Sequence, residues 1–152
     1  LDEAMNSDAP YSMAEVDAQK NLTREFSRRA RGIPIWAALR TLGRDGLSRM
    51  IGRHHDMAKY LLDRLRDAGF DILNEVVLNQ VLVRGRNDME TAALQNYVEK
   101  SGEAWFGRTI WRGQAAFRLS VSSWRTGQVD IDRLVGLLER ARHAVATGEG
   151  AV

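Results

Sequence analysis

The sequence has 152 residues, of which 44% are apolar, so it is long enough for one domain with its own hydrophobic core. It contains no cysteine, which excludes a disulfide framework, a thiolate metal site and a cysteine nucleophile. The formal net charge is +2 and acidic residues interrupt most basic runs, so we expect no nucleic-acid partner. No run approaches the roughly 18 apolar residues of a membrane span, and no basic and apolar leader opens the sequence. We therefore expect a cytoplasmic protein with no membrane partner.

The opening of the sequence is polar and lacks a clear period. It begins at Leu1 rather than at a methionine, and its first twenty residues match neither the helical nor the strand repeat. We expect residues 1–32 to be an extended or looped segment that continues from a longer chain.

Two helices are predicted next, over residues 33–68. GIPIWAALRTLG is typical of a helix that ends at Gly43, and Asp45 is a candidate N-cap for the helix that follows. In that second helix, apolar residues recur at spacings of three and four up to Ala68, before Gly69. We interpret residues 33–68 as linking helices.

The period then changes to two, which indicates strands. FDILNE and LNQVLVRGR predict neighbouring antiparallel strands, and AWFGRTIWRGQAAFRLSV predicts a hairpin that turns at Gly113 and Gln114. A helix capped by Asn87 or Asp88 and stopped by Gly102 separates the two strand pairs.

The last predicted helix is capped by Thr126 and is followed by a short frayed tail, residues 147–152. The order of elements predicts an α+β domain over residues 69–146, with a small, mostly antiparallel sheet of about four strands and helices on one face. The other face would then be left for water or a partner, and some of the aromatic residues Trp105, Phe106, Trp111 and Trp124 could meet one.

Few residues carry an obvious chemistry. His54 and His55 are adjacent, so on a helix they point about 100° apart and cannot bind one metal ion together. The sequence has no dinucleotide or phosphate-binding loop, no HExxH and no nucleophile elbow. We expect no metal site.

Arg118 is the main candidate for a binding residue. In AAFRLSV the alternation places Phe117, Leu119 and Val121 on the core face, and Arg118 on the opposite face. A guanidinium there could hold a carboxylate through two parallel N–H groups. From the spacing alone we favour the other interpretation, a salt bridge to a helix or to a neighbouring chain.

Several segments together resemble one enzyme family. They are Arg28 followed by Trp36, LGRDGL at 42–47, NQV at 79–81, and FRLSVSSWRT at 117–126. From about Phe26 to about Glu139 the sequence resembles the C-terminal part of pyridoxal-phosphate (PLP)-dependent amino-acid decarboxylases, the group that includes aromatic-amino-acid, tyrosine and glutamate decarboxylases.

The resemblance implies a homodimeric enzyme of fold type I, in which a large domain holds PLP and this segment forms the small C-terminal domain. In that family the PLP-binding lysine follows a histidine, and none of Lys20, Lys59 and Lys100 does so here. The resemblance therefore implies PLP in the intact enzyme, no PLP bound to this segment alone, and no catalytic or cofactor-binding residue within it. Arg118 matches an arginine that holds the substrate carboxylate in glutamate decarboxylase relatives.

The implied function is release of carbon dioxide from an amino acid, with the large domain of the same chain as partner. Two alternatives stay open. One is a free-standing α+β dimerisation or binding module without catalysis, and the other is the small domain of a related fold-type-I aminotransferase.

Overall fold

The computed structural model describes residues 29–147. Most of the predicted extended segment 1–32, and most of the predicted frayed tail 147–152, lies outside the described residues. The elements are helix α1 (Gly32–Asp67), strands β1 (Asp71–Ile72) and β2 (Gln80–Arg84), helix α2 (Asp88–Ser101), strands β3 (Gly107–Trp111) and β4 (Gln114–Ser120), and helix α3 (Gln128–Thr147).

Helix α1 is interrupted at Gly43, whose φ of 61° and ψ of −173° are not helical. A positive φ is easily adopted only by a residue without a Cβ, so the predicted end of the first helix at Gly43 is confirmed. The prediction that Asp45 caps the second helix is wrong, because Asp45 already lies inside it. The chain divides at this point into two units, Leu1–Gly43 and Arg44–Val152.

The four strands of the second unit form one antiparallel sheet in the order β1-β2-β4-β3. The predicted hairpin is formed by β3 and β4, but its turn lies one residue earlier than predicted. Arg112 and Gly113 occupy the turn, with φ values of 50° and 79°. Two positive φ values in a two-residue loop match the twist of the paired strands, which explains why the turn centres on them.

The core lies on one face of the sheet. Val81, Val83, Phe117 and Leu119 point to it, and Phe106 stacks on Phe117 at a centroid distance of 4.6 Å. The helices fill the same core with the buried residues Ala58, Leu61, Leu65, Leu94, Val98, Ile131, Val135, Leu138 and Ala141. The predicted α+β class, with helices on one face of a four-stranded sheet, is confirmed.

The helix ends follow local capping rules. Asn87 caps α2 by accepting a hydrogen bond from the Glu90 N–H at 2.8 Å, and Gly102 ends it with a φ of 66°. Helix α3 is capped by Gly127 rather than by the predicted Thr126, because the Asp130 carboxylate reaches back to the Gly127 N–H at 2.9 Å.

Candidate functional site

Arg118 lies on the face of the sheet that the helices do not cover. Its neighbours across the sheet are Leu82 of β2 and Gly107 of β3. The predicted alternation is confirmed, because Phe117, Leu119 and Val121 are buried whereas Arg118 is exposed. Gly107 has no side chain that could cover the guanidinium.

The guanidinium of Arg118 makes no hydrogen bond or ion pair with any other residue between 29 and 147. Two other arginines of the sheet are paired: Arg108 contacts Glu99 at 2.6 Å, and Arg84 contacts Asp88 at 3.0 Å. The salt bridge to a helix that the spacing also allowed is therefore not formed within the described part of the chain. The guanidinium of Arg118 therefore remains free to bind an anion that comes from outside the described part of the chain.

Arg118 lines two cavities at the point where the sheet loses strand β3. Strand β3 begins at Gly107, opposite Arg118, so Leu119 and Ser120 have a strand neighbour only on the β2 side. The larger cavity, of about 470 Å³, lies between this end of β4, the segment 103–106 and helix α3. The smaller, of about 390 Å³, lies on the uncovered face.

The larger cavity carries hydroxyl groups and charged side chains besides Arg118. Ser120, Ser122 and Thr126 contribute hydroxyls to its lining. At its rim the Glu103 carboxylate pairs with Arg133 at 3.4 Å and with Arg140 at 3.1 Å. Glu103 could not be singled out from the sequence, because its partners are 30 and 37 residues away.

A carboxylate is the ligand chemistry that this arrangement fits best. An unpaired guanidinium offers two parallel N–H donors, and nearby hydroxyls can donate to the same oxygens. Arg133, the other cation in the lining, pairs with Glu103 at 3.4 Å, so among the described residues that line the cavity Arg118 is the cation without an ion pair.

The described residues do not provide a covalent site for PLP in either cavity. PLP is held in such enzymes by a Schiff base to a lysine, and no lysine is among the residues that line the two cavities. His54 and His55 do not line them either, and His55 Nδ1 lies 2.9 Å from the carbonyl oxygen of Leu78. No group of three or more possible metal ligands occurs between residues 29 and 147.

The helices of the described part are not suited to crossing a bilayer, since none of them combines sufficient length with sufficient apolar character.

No protein-family model matches the sequence. A 3,4-dihydroxyphenylacetaldehyde synthase from Drosophila melanogaster is 29% identical over 110 residues, which are 70% of this chain and 21% of that protein. A crystal structure of Oryza sativa TDC with PLP and tryptamine superposes with a TM-score of 0.71 and 21% identity, covering 95% of this chain and 33% of the other. A crystal structure of Catharanthus roseus tryptophan decarboxylase in complex with L-tryptophan has a TM-score of 0.68 and 23% identity, covering 82% and 28%.

These likenesses define the fold. The chain has the fold of a segment found in solved decarboxylase structures, and it spans about a third or less of each of these relatives.

Proposed function

We propose that this chain is the small C-terminal domain of a larger PLP-dependent amino-acid decarboxylase of fold type I, and that Arg118 binds the carboxylate of the substrate. The observation that carries the proposal is the unpaired guanidinium of Arg118, which borders two cavities on a fold shared with decarboxylases. The resemblance of FRLSVSSWRT to the corresponding junction of these enzymes supports the same role.

The contribution of Arg118 would be to hold and orient the carboxylate. Two N–H groups in one plane match the two carboxylate oxygens, so the group is fixed in rotation as well as in position. Such a fixed geometry lowers the entropy that must be lost before reaction.

The rest of the longer chain would hold PLP, since neither cavity offers a lysine. In this arrangement residues 1–32 lead in from the large domain, residues 33–68 link the two, residues 69–146 form the small domain, and 147–152 are the tail. The intact enzyme would be a cytoplasmic homodimer. PLP would serve there as the electron sink for decarboxylation.

The apolar side chains that the sheet region exposes are compatible with a second function. Trp105 is 80% exposed, Ile110 76% and Trp124 67%. Exposed apolar residues of this size suit a free-standing module that binds a partner through its sheet. They suit equally a domain that packs against the rest of its own chain.

The test is to express the complete chain that contains this segment and to compare wild type with R118A, R118K and Q114A. We expect R118A to lower kcat/KM for decarboxylation by about 100-fold or more, because an ion pair that binds the substrate carboxylate is lost. The kcat/KM of R118K should lie between those of wild type and R118A, since lysine keeps the charge but not the planar pair of donors. Gln114 is exposed on the same strand, so Q114A is the matched control and should be within about twofold of wild type.

Each variant should keep the PLP absorbance of wild type after gel filtration. Near-normal carbon dioxide release by R118A would remove its carboxylate role. A complete chain that neither binds PLP nor releases carbon dioxide from any amino acid would favour the binding module.

A further inference from the structure

The β4–α3 loop, residues 121–127, directly continues the strand that carries Arg118. At its start, the Val121 N–H donates to the carbonyl of Asn79 at 2.9 Å, and the Asn79 side chain donates to the carbonyl of Val121 at 2.9 Å. This pairing extends the contact between β2 and β4 past the last strand residues. The first residue of the loop is therefore fixed to the sheet.

Arg53 of helix α1 fixes the far part of the same loop. Its Nη1 donates to the carbonyl of Trp124, and its Nη2 donates to the carbonyl of Thr126 at 2.7 Å. The two carbonyls are bound by two neighbouring nitrogens of one planar guanidinium, a fork of N–H donors that lysine does not provide. Helix α1 thus holds the loop from a position more than 70 residues away in the sequence.

The loop matters to the site because it forms part of the wall of the larger cavity. Ser122 and Thr126 line that cavity together with Arg118. Beyond Arg118, strand β4 has no β3 neighbour, so its end is held by β2 on one side and by the loop that follows. Loosening the loop would therefore let the wall and the end of β4 shift relative to Arg118.

We propose that Arg53 is a positioning residue of the carboxylate site: through the carbonyls of Trp124 and Thr126 it holds the β4–α3 loop and thereby the end of β4 that bears Arg118. This inference rests on the proposed function of Arg118. Arg53 acts only through the loop, since it is not among the residues that line either cavity beside Arg118.

The test uses the complete chain and compares wild type with R53A, R53K and R49A. Arg49 lies one turn earlier on the same helix, is exposed, and has no hydrogen bond or ion pair with another described residue, so R49A is the matched control. We expect R53A to raise KM for the amino acid about tenfold with kcat changed by less than about threefold, since the cost falls on binding of the carboxylate. R53K should recover part of the loss, and R49A should behave as wild type.

A second measurement separates positioning from a general structural effect. The amine product lacks the carboxylate, so its inhibition constant should be unchanged in R53A if only the carboxylate site is disturbed. Equal weakening of amino acid and amine, or an unchanged KM in R53A, would overturn the proposal. If R53A does not fold, the KM for the amino acid and the inhibition constant of the amine are compared in R53K instead, since a lysine can still donate to one carbonyl.

The activities of R118A and R53A together distinguish a failure of this inference from a failure of the proposed function. An inactive R118A beside an R53A with wild-type KM would remove only the role of Arg53. An R118A with wild-type activity would remove the carboxylate site itself.

Discussion

Arg142 of helix α3 joins the end of helix α1 to the core. Its guanidinium lies over the ring of Phe70 with the Cζ atom 3.6 Å from the ring centroid. It donates to the carbonyls of Ala68 at 2.7 Å and Gly69 at 3.3 Å, which follow the last turn of α1. Burial lowers the pKa of Arg142, but an arginine stays charged at every relevant pH. Arg142 therefore combines packing on an aromatic ring with hydrogen bonds that the end of a helix needs.

We predict that R142A lowers the free energy of unfolding by about 2 kcal/mol, because two charge-assisted hydrogen bonds and a cation–π contact are lost. R66A is the control, since Arg66 is exposed in the last turn of α1. Its effect should stay within about 0.5 kcal/mol. Urea unfolding of both variants at neutral pH measures the difference, and equal losses in the two would show that the contacts of Arg142 contribute nothing of their own.

How far a single residue can be placed from the sequence depends on the range of its contacts. The exposed position of Arg118 follows from alternation within its own strand, so it could be predicted. The contacts of Arg53 and Arg142 could not, because each joins groups more than 70 residues apart and leaves no periodic signal. A substrate role for Arg118 is predicted only from the resemblance, since its spacing alone favours a salt bridge.

At the scale of elements, strand β1 is shorter than its sequence pattern. FDILNE predicts a strand of about six residues, yet only Asp71 and Ile72 belong to it. The Asn74 side chain replaces the backbone pairing: its Oδ1 accepts from the Leu82 N–H at 2.7 Å, and its Nδ2 donates to the carbonyl of Gln80 at 3.1 Å. A side chain that bonds to the backbone in this way competes with the ladder, and periodicity does not report it.

Helices α1 and α3 are linked by Tyr60, Arg64 and Asp132. Asp132 accepts hydrogen bonds from the Arg64 Nε at 2.8 Å and the Tyr60 hydroxyl at 2.9 Å. The hydrogen bond from Arg64, with that from Tyr60, holds the pKa of Asp132 below its usual value. A carboxyl whose pKa is lowered in the folded state stabilises the fold above its unfolded pKa, and this contribution is lost as the pH falls through the folded value.

We predict that D132N is less stable than wild type at pH 6 and that the difference shrinks as the pH is lowered through about 4 and below. Chemical denaturation at several pH values between about 6 and 3 measures this convergence. Asp63 is exposed on α1, so D63N provides the control and should show no such convergence. A difference between D132N and wild type that is constant with pH would contradict the assignment of the link to the ionised carboxylate.

For the second unit as a whole, the strands leave an exposed apolar edge. Strand β3 is at one edge of the sheet, and Ile110 on it is 76% exposed. An edge strand has unpaired backbone groups, and an exposed apolar side chain beside them favours pairing with another chain. If the proposed function is right, the rest of the longer chain would cover this edge.

We predict that the 152-residue chain on its own associates as its concentration rises, and that I110K weakens this association. Sedimentation velocity over a concentration series measures it. Val129 is 80% exposed in the first turn of α3, so V129K makes the same chemical change away from the sheet edge and should have little effect. A single dimer that survives I110K unchanged would instead support the free-standing binding module.

The strand order also determines when the environment of Arg118 can form during folding. Strands β3 and β4 are joined by a two-residue turn, so their pairing is local and can form within microseconds. The pairing of β2 with β4 joins Gln80 to Ser120 across helix α2 and strand β3, and closing such a large loop is the slower step. Arg118 is flanked by both pairings, so one side of its environment is in place early and the other only when the central strands meet.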